Sequence, residues 1–571
     1  MVSKQEKSKN CAKNNIEETI SASNLQTPPH FIASSSAETE KCKKKILDAY
    51  AVEGIAQRAI DAAGFGKFNI KIAAVGALIY FNTALSIMST GFVLTAAACD
   101  FKMTTIYKGY IVTAPLLGSC FGPLVWGLLA DLKGRRMSLI TALFMQGASE
   151  LLMSFIPNYW CFLFLKFLSG FASIGELSLL FTYVGEFQTT KYRKLVLSFM
   201  DGPMIVGMIT VPVLAWLIVP LEFDFRNEYI HFRSWNLFVM LCSIPAVLIA
   251  FWLIFLPETP KFLAESGQNF QFLTVLGDIY VKNSNQPVET YFEKLANGEN
   301  KDVSDFVHRF WKTPVNQKKI SKKEITLRQI LKDFKKQALD VSKPPYVLKT
   351  ALASISTFFI TSSHYALLLW FPEIFQRFSQ FETKFQNETS SVCSVSKKLY
   401  SLNATMANTN IDLFGCESKI DTRVYLNSLW QAIACIPFSI LLPMSVDRLG
   451  FKFFVVASTL IAFATTLGFF FTTNSLQNLI LSCIFEVMTS VFMSSMFCFL
   501  VVIFPTNVRV VASTVIVIFS RLGSLLGNTV FSYLIDDNCV PLICIVAVQL
   551  FIGAVFALII QIRRPKIYET V

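Results

Sequence analysis

Charge and histidine are scarce in this chain. Only 16% of its 571 residues are Asp, Glu, Lys or Arg, and its four histidines are scattered at positions 30, 231, 308 and 364. The sequence also lacks a phosphate-binding GxxxxGK[ST] loop, an HExxH metal motif and a paired CxxC, so it gives no support for catalysis, ATP-driven transport, a metal or a cofactor. Instead, 53% of the residues are hydrophobic and the mean hydropathy is +0.50, which is typical of a membrane protein.

Long apolar runs dominate the sequence. The runs at 111–130 and 453–471 have about the length that a helix needs to cross a hydrocarbon core of ~30 Å. They are continuous, whereas the strands of a β-barrel would alternate apolar and polar positions. We therefore predict an all-α membrane protein with twelve transmembrane helices. Their centres lie near Tyr80, Phe121, Met145, Gly170, Gly207, Ala246, Phe359, Ile436, Ala462, Phe492, Ser520 and Val548.

The net charge of +12 could indicate nucleic-acid binding, but the basic residues lie in connections between the apolar runs. The connections at 127–136, 186–194, 257–346 and 447–452 are basic or mixed and fall on one side of a twelve-span chain. Positively charged connections mark the cytosolic side. No cleavable signal peptide is visible in the polar opening of the sequence. We expect both termini in the cytosol and no nucleic-acid partner.

The apolar runs fall into two groups of six, separated by a long polar segment. Within that segment, 318–336 fits either an amphipathic helix on the inner leaflet or a solvated charged linker. We predict a partly disordered cytosolic segment at 1–70, a six-helix half at 71–256, a basic cytosolic linker at 257–346, a second six-helix half at 347–564 and a cytosolic tail at 565–571.

A polar loop at 373–422 should lie on the outer side. It contains two acceptor sequons for N-glycosylation, at Asn387 and Asn403, and two cysteines, Cys393 and Cys416. An oxidising compartment would allow these cysteines to form a disulfide. The alternative is that the sequons arise by chance and that most of the thirteen cysteines are small buried apolar residues.

A charged motif follows predicted span 2 and recurs in weaker form after span 8. The first copy is GLLADLKGRR at 127–136, and the second includes DRLGFK at 447–452. The two copies resemble the repeated signature of the major facilitator superfamily, whose members consist of two six-helix halves. The resemblance implies a cytosolic gate motif formed by Gly127, Asp131, Gly134, Arg135, Arg136, Asp447, Arg448, Gly450 and Lys452.

A glycine suits the tight cytosolic turn of this motif, and its arginines could reach carboxylates across the cytosolic seam. The alternative is that the charges only anchor the turn in water and set the topology. Three further stretches resemble charged connections of the same superfamily and add Glu186 and Arg193 (YVGEFQTTKYR), Glu258 (LPETPKFL) and Arg509 (PTNVR) to the gate residues.

Within the superfamily the chain is similar to the synaptic vesicle glycoprotein 2 group, and most to its insect-type members. The similarity rests on GFGKFN at 64–69, HFRSWNLFV at 231–239, YALLLWFPEIF at 365–375 and the position of the outer loop. The chain departs from the group in span 1, where Asn82 and its neighbours replace two carboxylates, and in span 4, where Lys166 replaces an Arg. A synaptic role therefore does not follow from the resemblance.

Ionisable and aromatic residues inside the spans are the candidates for solute or coupling-ion binding, because a charge in a span costs about 2.5–3.5 kcal/mol. The alternative is internal pairing, for example of Arg521 with Glu486 or Asp201. Tyr365 and Trp370 would form a wall of the site or lie at the membrane interface. The candidates are Asn82, Lys166, Glu176, Asp201, His364, Tyr365, Trp370, Glu486 and Arg521.

The function we predict is transport of a small organic solute, an organic ion or a sugar-like molecule, by alternating access between the halves. The partners would be the lipid bilayer, the solute and, if transport is secondary active, a coupling ion such as H⁺ or Na⁺. We expect a monomer in the plasma membrane or a vesicle membrane. The alternative is a transporter-like membrane glycoprotein that acts in trafficking or as a receptor without flux.

Overall fold

The computed structural model describes residues 54–221, 223–226, 231–297, 346–385, 391–398, 420–504 and 506–560, with a few isolated positions between 304 and 344. The chain divides into two units. One unit comprises 71–185, 194–258 and 325–571 and contains nearly all of the apolar helices. The other comprises 1–70, 186–193 and 259–324.

The first half of the apolar unit consists of six long helical segments and a short hairpin. In the hairpin, Phe225 of β1 lies opposite Phe232 of β2. The elements are α1 (Lys67–Ala96), α2 (Thr105–Lys133), α3 (Arg135–Met153), α4 (Tyr159–Phe187), α5 (Thr190–Ser198), α6 (Asp201–Ile218), β1 (Asp224–Arg226), β2 (His231–Arg233) and α7 (Ser234–Ile254). One of the six segments is made of two consecutive helices, α5 and α6.

Three short helices follow, and then the second half. The short helices are α8 (Pro260–Glu265), α9 (Asn269–Ser284) and α10 (Val288–Ala296). The second half consists of α11 (Tyr346–Lys384), α12 (Thr422–Ala434), α13 (Ile436–Leu449), α14 (Phe451–Gly468), a 3₁₀ turn (Phe469–Phe471), α15 (Ser475–Ile503), α16 (Thr506–Leu534) and α17 (Cys539–Ile559).

Eleven of the described helical segments are long and apolar enough to cross a membrane, and all twelve predicted centres lie in helices. The segment outside these eleven is α3, the predicted span 3. It begins with two arginines and buries Gln146, Ser149 and Glu150, which lower its hydropathy. A helix whose polar residues face its neighbours rather than lipid can still cross the bilayer.

Glycines allow two helix pairs that position the site to pack closely. In the first half, a Cβ on Gly170 of α4 would lie 2.0 Å from the carbonyl oxygen of Pro115 in α2. In the second half, a Cβ on Gly527 of α16 would lie 2.3 Å from the carbonyl oxygen of Ser362 in α11. The GSLLG stretch at 523–527 is thus a close helix contact, as its small-residue spacing predicts. Across the halves, α2 packs against α16 and α6 against α12.

Two predictions about the outer loop are wrong. The polar loop does not begin at residue 373, because α11 continues through Pro372 to Lys384. The disulfide does not join Cys393 to Cys416, because Cys393 is bonded to Cys539 at the start of α17, with Cα atoms 5.2 Å apart. The prediction considered only cysteines within one loop, whereas the outer end of the last span lies beside it. Cys99, after α1, is also disulfide-bonded.

The smaller unit shows that part of the predicted linker is folded. Asn283 of α9 bonds to the GFGKFN stretch: its Nδ2 donates to the Asn69 Oδ1 (2.7 Å), and its Oδ1 accepts from the Phe68 amide (3.0 Å). Tyr291 of α10 donates to the Ala59 carbonyl at 2.7 Å, and burial raises the pKa of its hydroxyl. The motif at 64–69 therefore has a structural role within this unit.

Candidate solute site and gates

A cavity of about 50 Å³ lies between the two halves of the apolar unit. Helices α1, α2 and α4 of the first half and α11 and α16 of the second supply its walls. Hydroxyl groups and two cationic side chains form its polar surface. These polar residues are Thr83, Ser86, Thr90, Ser119, Lys166, Ser169, Ser173, Tyr365 and Arg521.

The two cations of the cavity come from opposite halves, and both are buried. Lys166 in α4 is 2% exposed, and its Nζ donates to the Thr90 Oγ1 at 3.2 Å. Arg521 in α16 is 5% exposed, and its Nη1 donates to the Tyr365 hydroxyl at 3.1 Å. The guanidinium also lies 5.4 Å from the centre of the Tyr365 ring. Arg521 forms no ion pair with Glu486 or Asp201, so the pairing considered from the sequence is wrong for this residue.

A buried acidic cluster in the first half lies behind the cavity wall. Glu150 of α3 accepts hydrogen bonds from Ser86 and, at 2.7 Å, from Ser169. Glu176 of α4 accepts from the Asn82 Nδ2 at 3.1 Å. Gln146, 2.7 Å from the Asn82 Nδ2, joins the two carboxylates into one network. Sequence reasoning missed Gln146. Placing a neutral amide in a membrane span costs little free energy, so its presence in the sequence does not mark a functional residue.

A second buried carboxylate lies in the other half. Glu486 of α15 is 1% exposed, and its Oε2 has no hydrogen-bond partner and lies 3.9 Å from the His364 Nδ1. The same His364 nitrogen lies 2.8 Å from the Thr489 hydroxyl. The structure therefore brings His364 and Glu486 together, two residues that the sequence predicted separately.

The aromatic candidates lie inside the second half. Tyr365 and Trp370 are both buried, so the membrane-interface interpretation is wrong for them. Tyr365 lines the cavity, but Trp370 packs against Phe531 with ring centroids 5.0 Å apart and is not part of the cavity wall. Asp201, at the first residue of α6, is half-buried and does not line the cavity either.

The predicted gate motif forms tight turns in both halves. Gly134 has φ +100° and Gly450 has φ +80°, a left-handed conformation that favours glycine. The Arg136 backbone N–H donates to Glu258 at 3.0 Å, and its Nε donates to the Leu253 carbonyl at 3.0 Å. These bonds join the turn after α2 to the end of α7.

The other gate residues differ in their surroundings. Arg135 lies 3.8 Å from Asp131, one helical turn before it. Arg193, in the smaller unit together with Glu186, donates to the Gln57 Oε1 at 2.6 Å and to the Gln188 carbonyl at 3.2 Å. An added Cβ on Gly127 would have no atom within 4 Å, and Arg448 is exposed. Lys452 is half-buried.

Several predicted residues lie outside the described part of the chain. Asn387, Asn403 and Cys416 are among them, as are the side chains of Asp447 and Arg509. The two sequons and the gate role of these two side chains stay predictions.

An ion-pair layer at the outer ends of the helices joins the two halves, and sequence reasoning missed it. Lys108 of α2 donates to both Glu373 carboxylate oxygens at 2.8 Å. Arg377, one turn beyond Glu373 in α11, binds Asp536 at 2.7 Å and the Thr105 hydroxyl at 3.2 Å. We call Lys108, Glu373, Arg377 and Asp536 the outer ion-pair layer. The i, i+4 spacing of Glu373 and Arg377 is typical of an ion pair on a helix, but the prediction placed both residues in a loop.

The HFRSWN stretch has a separate structural role on the outer side. Arg233 pairs with Asp100 and, at 3.0 Å, with Asp224. The indole of Trp235 donates to the other Asp100 oxygen at 2.5 Å, and the Asn236 amide donates to the Ser154 carbonyl at 2.9 Å. This motif fastens α7 to the ends of α1 and α3.

Comparison with known proteins agrees with this architecture. The family model for sugar (and other) transporters matches residues 43–326. The inward-open xylose transporter XylE from E. coli matches 88% of this chain and 98% of its own with a TM-score of 0.58, at 15% identity. The chain has the major facilitator fold and is similar in sequence to transporters of this type. Its two halves, repeated glycine turns and central cavity are those of the major facilitator fold.

The sequence relatives of this chain include the synaptic vesicle glycoproteins. Synaptic vesicle glycoprotein 2B of Rattus norvegicus is 24% identical over 90% of this chain and 85% of its own length. Synaptic vesicle glycoprotein 2C of Homo sapiens is 30% identical over 41% of this chain and 33% of its own. This major facilitator protein is thus similar to the synaptic vesicle glycoproteins over most of its length, as its motifs predict.

Proposed function

We propose that the protein carries a small organic solute across the membrane by alternating access, without catalysing a covalent change. The observation that supports this proposal is the buried polar cavity between the two halves, below ion pairs that join their outer ends. Buried cations and hydroxyl groups that line a cavity deep among apolar helices are costly unless a solute pairs with them during function. In a two-half carrier such a site lies near the midplane.

We propose separate roles for the charged groups. The outer ion-pair layer holds the outer ends of α2, α11 and α16 together while the solute exchanges with the cytosol. If these ion pairs separated while the helix ends at the Gly134 and Gly450 turns moved together, the cavity would open to the outer side. The buried Glu486 and His364, which do not line the cavity, are placed to carry a coupling proton in a secondary active cycle.

Uptake into cells that express the protein at the surface tests the proposal, with pooled organic cations, anions and sugars read by mass spectrometry. Asp131→Asn, matched for surface expression, provides the comparison. A solute that accumulates with the wild type but not with the variant supports a carrier. Persistence of that flux after every ion gradient is collapsed would indicate a uniporter rather than a coupled carrier.

A receptor or trafficking role without flux is the second candidate. The similarity to synaptic vesicle glycoproteins and the absence of acids in span 1 favour it. Equal solute levels with wild type and Asp131→Asn, both folded and glycosylated, would support this candidate and contradict transport. We further propose a monomer in the plasma membrane or a vesicle membrane, with both termini in the cytosol and with six-helix halves at 71–256 and 347–564.

A further inference from the structure

We infer that the solute is a small organic anion, a carboxylate held between Lys166 and Arg521. The inference rests on the proposed carrier function and names the substrate class of its cavity. Both charged side chains that line the cavity are cations, and the other polar lining groups are neutral hydroxyls. A carboxylate is the organic group that such a pair of cations binds best.

Both cations have hydrogen-bond donors to spare. The ammonium of Lys166 has three N–H donors, and it donates to the Thr90 hydroxyl. Arg521 has five, its described bond goes to Tyr365, and its buried Nε has no partner. Neither cation has a carboxylate within ion-pair distance among the described residues. The charge of Glu150 acts on Lys166 without an ion-pair contact, and neither buried cation has a carboxylate bonded to it in the part of the chain that the structure describes, an unfavourable arrangement that a bound carboxylate would correct.

The nearby carboxylates are engaged elsewhere. Glu150 accepts from Ser86, Ser169 and Gln146, and Glu176 accepts from Asn82. Glu486 faces His364 in the second half. None of the three carboxylates lines the cavity. The surface that a solute would meet is therefore positive, which disfavours an organic cation, and a neutral sugar would leave both charges unneutralised.

The position of the two cations also fits an alternating-access cycle. Lys166 belongs to the first half and Arg521 to the second, so one carboxylate between them would join the halves. Ser119, Ser169 and Thr90 surround the same space and can bond to a hydroxyl or a second oxygen of the solute. Binding of the anion would thus favour closure around it, because only the closed arrangement lets both cations contact one ligand.

The test compares acids with their neutral amides, which have nearly the same shape. Full-length protein in proteoliposomes is offered labelled lactate, benzoate or nicotinate, each against lactamide, benzamide or nicotinamide, and also glucose and choline. The same compounds are tested for thermal stabilisation of the protein in detergent. We expect the protein to bind and transport at least one acid and to discriminate against its amide by about 10- to 100-fold, the usual effect of a hydrogen bond to a charged group.

Variants assign the effect to the two cations. We expect Lys166→Gln and Arg521→Gln each to raise the KM for the acid by about tenfold or more, and Arg521→Lys to restore part of the affinity. Lys71→Gln removes an exposed positive charge remote from the cavity and is the matched control. The comparison of acid with amide in the wild type does not depend on whether a variant folds.

The possible results distinguish an error in the substrate class from an error in the carrier function. Uptake of glucose, choline or an amide as readily as of an acid would overturn the anion assignment and leave the carrier intact. Thermal stabilisation by an acid, without uptake, would support the anion site and overturn the carrier. Absence of binding and uptake for every acid would overturn the anion site, and the same absence for glucose, choline and the amides as well would overturn the carrier too.

Discussion

Glu486 is a buried carboxylate in the second half with an unsatisfied oxygen. One of its oxygens has no hydrogen-bond partner, and the group that faces it is His364 at 3.9 Å. A carboxylate in this position is stable only if it takes a proton or shares one with the imidazole, because an isolated charge inside a span is costly. If the proposed carrier is driven by protons, Glu486 and His364 are the pair that we expect to take up and release the coupling proton.

We expect Glu486→Gln to abolish concentrative uptake while it retains exchange of solute between the two sides. The amide keeps the shape of the side chain but cannot bind and release a proton. Accumulation driven by an imposed pH gradient, measured beside counterflow in the same proteoliposomes, checks this. Full pH-driven accumulation by the variant would show that this carboxylate does not couple transport.

At the same scale, the sequence identifies charged residues well and neutral ones poorly. Lys166, Glu176, Glu486 and Arg521 were recognisable because ionisable residues are rare in spans. Thr90 bonds directly to Lys166, and Ser169 bonds to the neighbouring Glu150, yet polar neutral side chains are common in membrane helices and give little signal. Which charges line the cavity depends on helix rotation, which follows from packing and not from composition.

At the scale of helices, contacts between backbones set the geometry of the site. The carbonyl oxygens of Pro115 and Ser362 occupy the space that side chains on Gly170 and Gly527 would need. These contacts fix the rotation of α4 and α16, which direct Lys166 and Arg521 toward each other. The small-residue spacing of GSLLG predicted the second contact, whereas the first involves a proline and an isolated glycine.

Gly527→Ala should destabilise the protein by about 1–3 kcal/mol, since its Cβ would lie 2.3 Å from the Ser362 carbonyl oxygen. The lowered thermal unfolding temperature in detergent measures the effect. Gly202→Ala provides the matched control, because its Cβ has no atom within 4 Å and alanine favours the helix by up to about 1 kcal/mol. Equal unfolding temperatures for the two variants would contradict the packing argument.

The count of helices was predictable, but the ends of the helices were not. Continuous hydropathy located all twelve centres. The extension of α11 to Lys384 was missed because its last turns are polar and because Pro372 suggests an end. Proline within a membrane helix is tolerated when neighbouring groups satisfy the freed backbone, so the residue is a weak boundary signal there.

At the scale of the whole molecule, we propose that the outer ion-pair layer governs which side of the membrane reaches the cavity. Glu373→Gln would leave Lys108 and Arg377 without their shared carboxylate. Loss of one partner of a buried pair costs about 3–5 kcal/mol, which would shift the conformational equilibrium toward the outward-open state by about tenfold or more.

The prediction can be checked with an impermeant maleimide applied outside cells, after Ser119→Cys is introduced into the cavity wall. Labelling should be faster with Glu373→Gln. Glu382→Gln is the control, because it pairs with Arg423, whose side chain is exposed, and such a surface pair contributes about 0–1 kcal/mol. Similar labelling rates for both variants would mean that this layer does not govern access.

The covalent connections of the outer surface can be mapped directly. We expect a peptide that joins Cys393 to Cys539 in a non-reduced digest, and loss of glycan mass when Asn387 and Asn403 are both replaced by Gln. Mass spectrometry after deglycosylation resolves both. Recovery of a Cys393–Cys416 peptide instead would contradict the structure.

The Cys393–Cys539 bond has a consequence for biosynthesis. The two cysteines are 146 residues apart, so the second is synthesised long after the first has left the ribosome. At about 5–20 residues per second, roughly 7 to 30 seconds of translation separate them. During that interval Cys393 lacks the partner with which it is bonded in the folded chain. The bond can close only when the final span has been inserted, so its presence reports that the whole chain has reached the membrane.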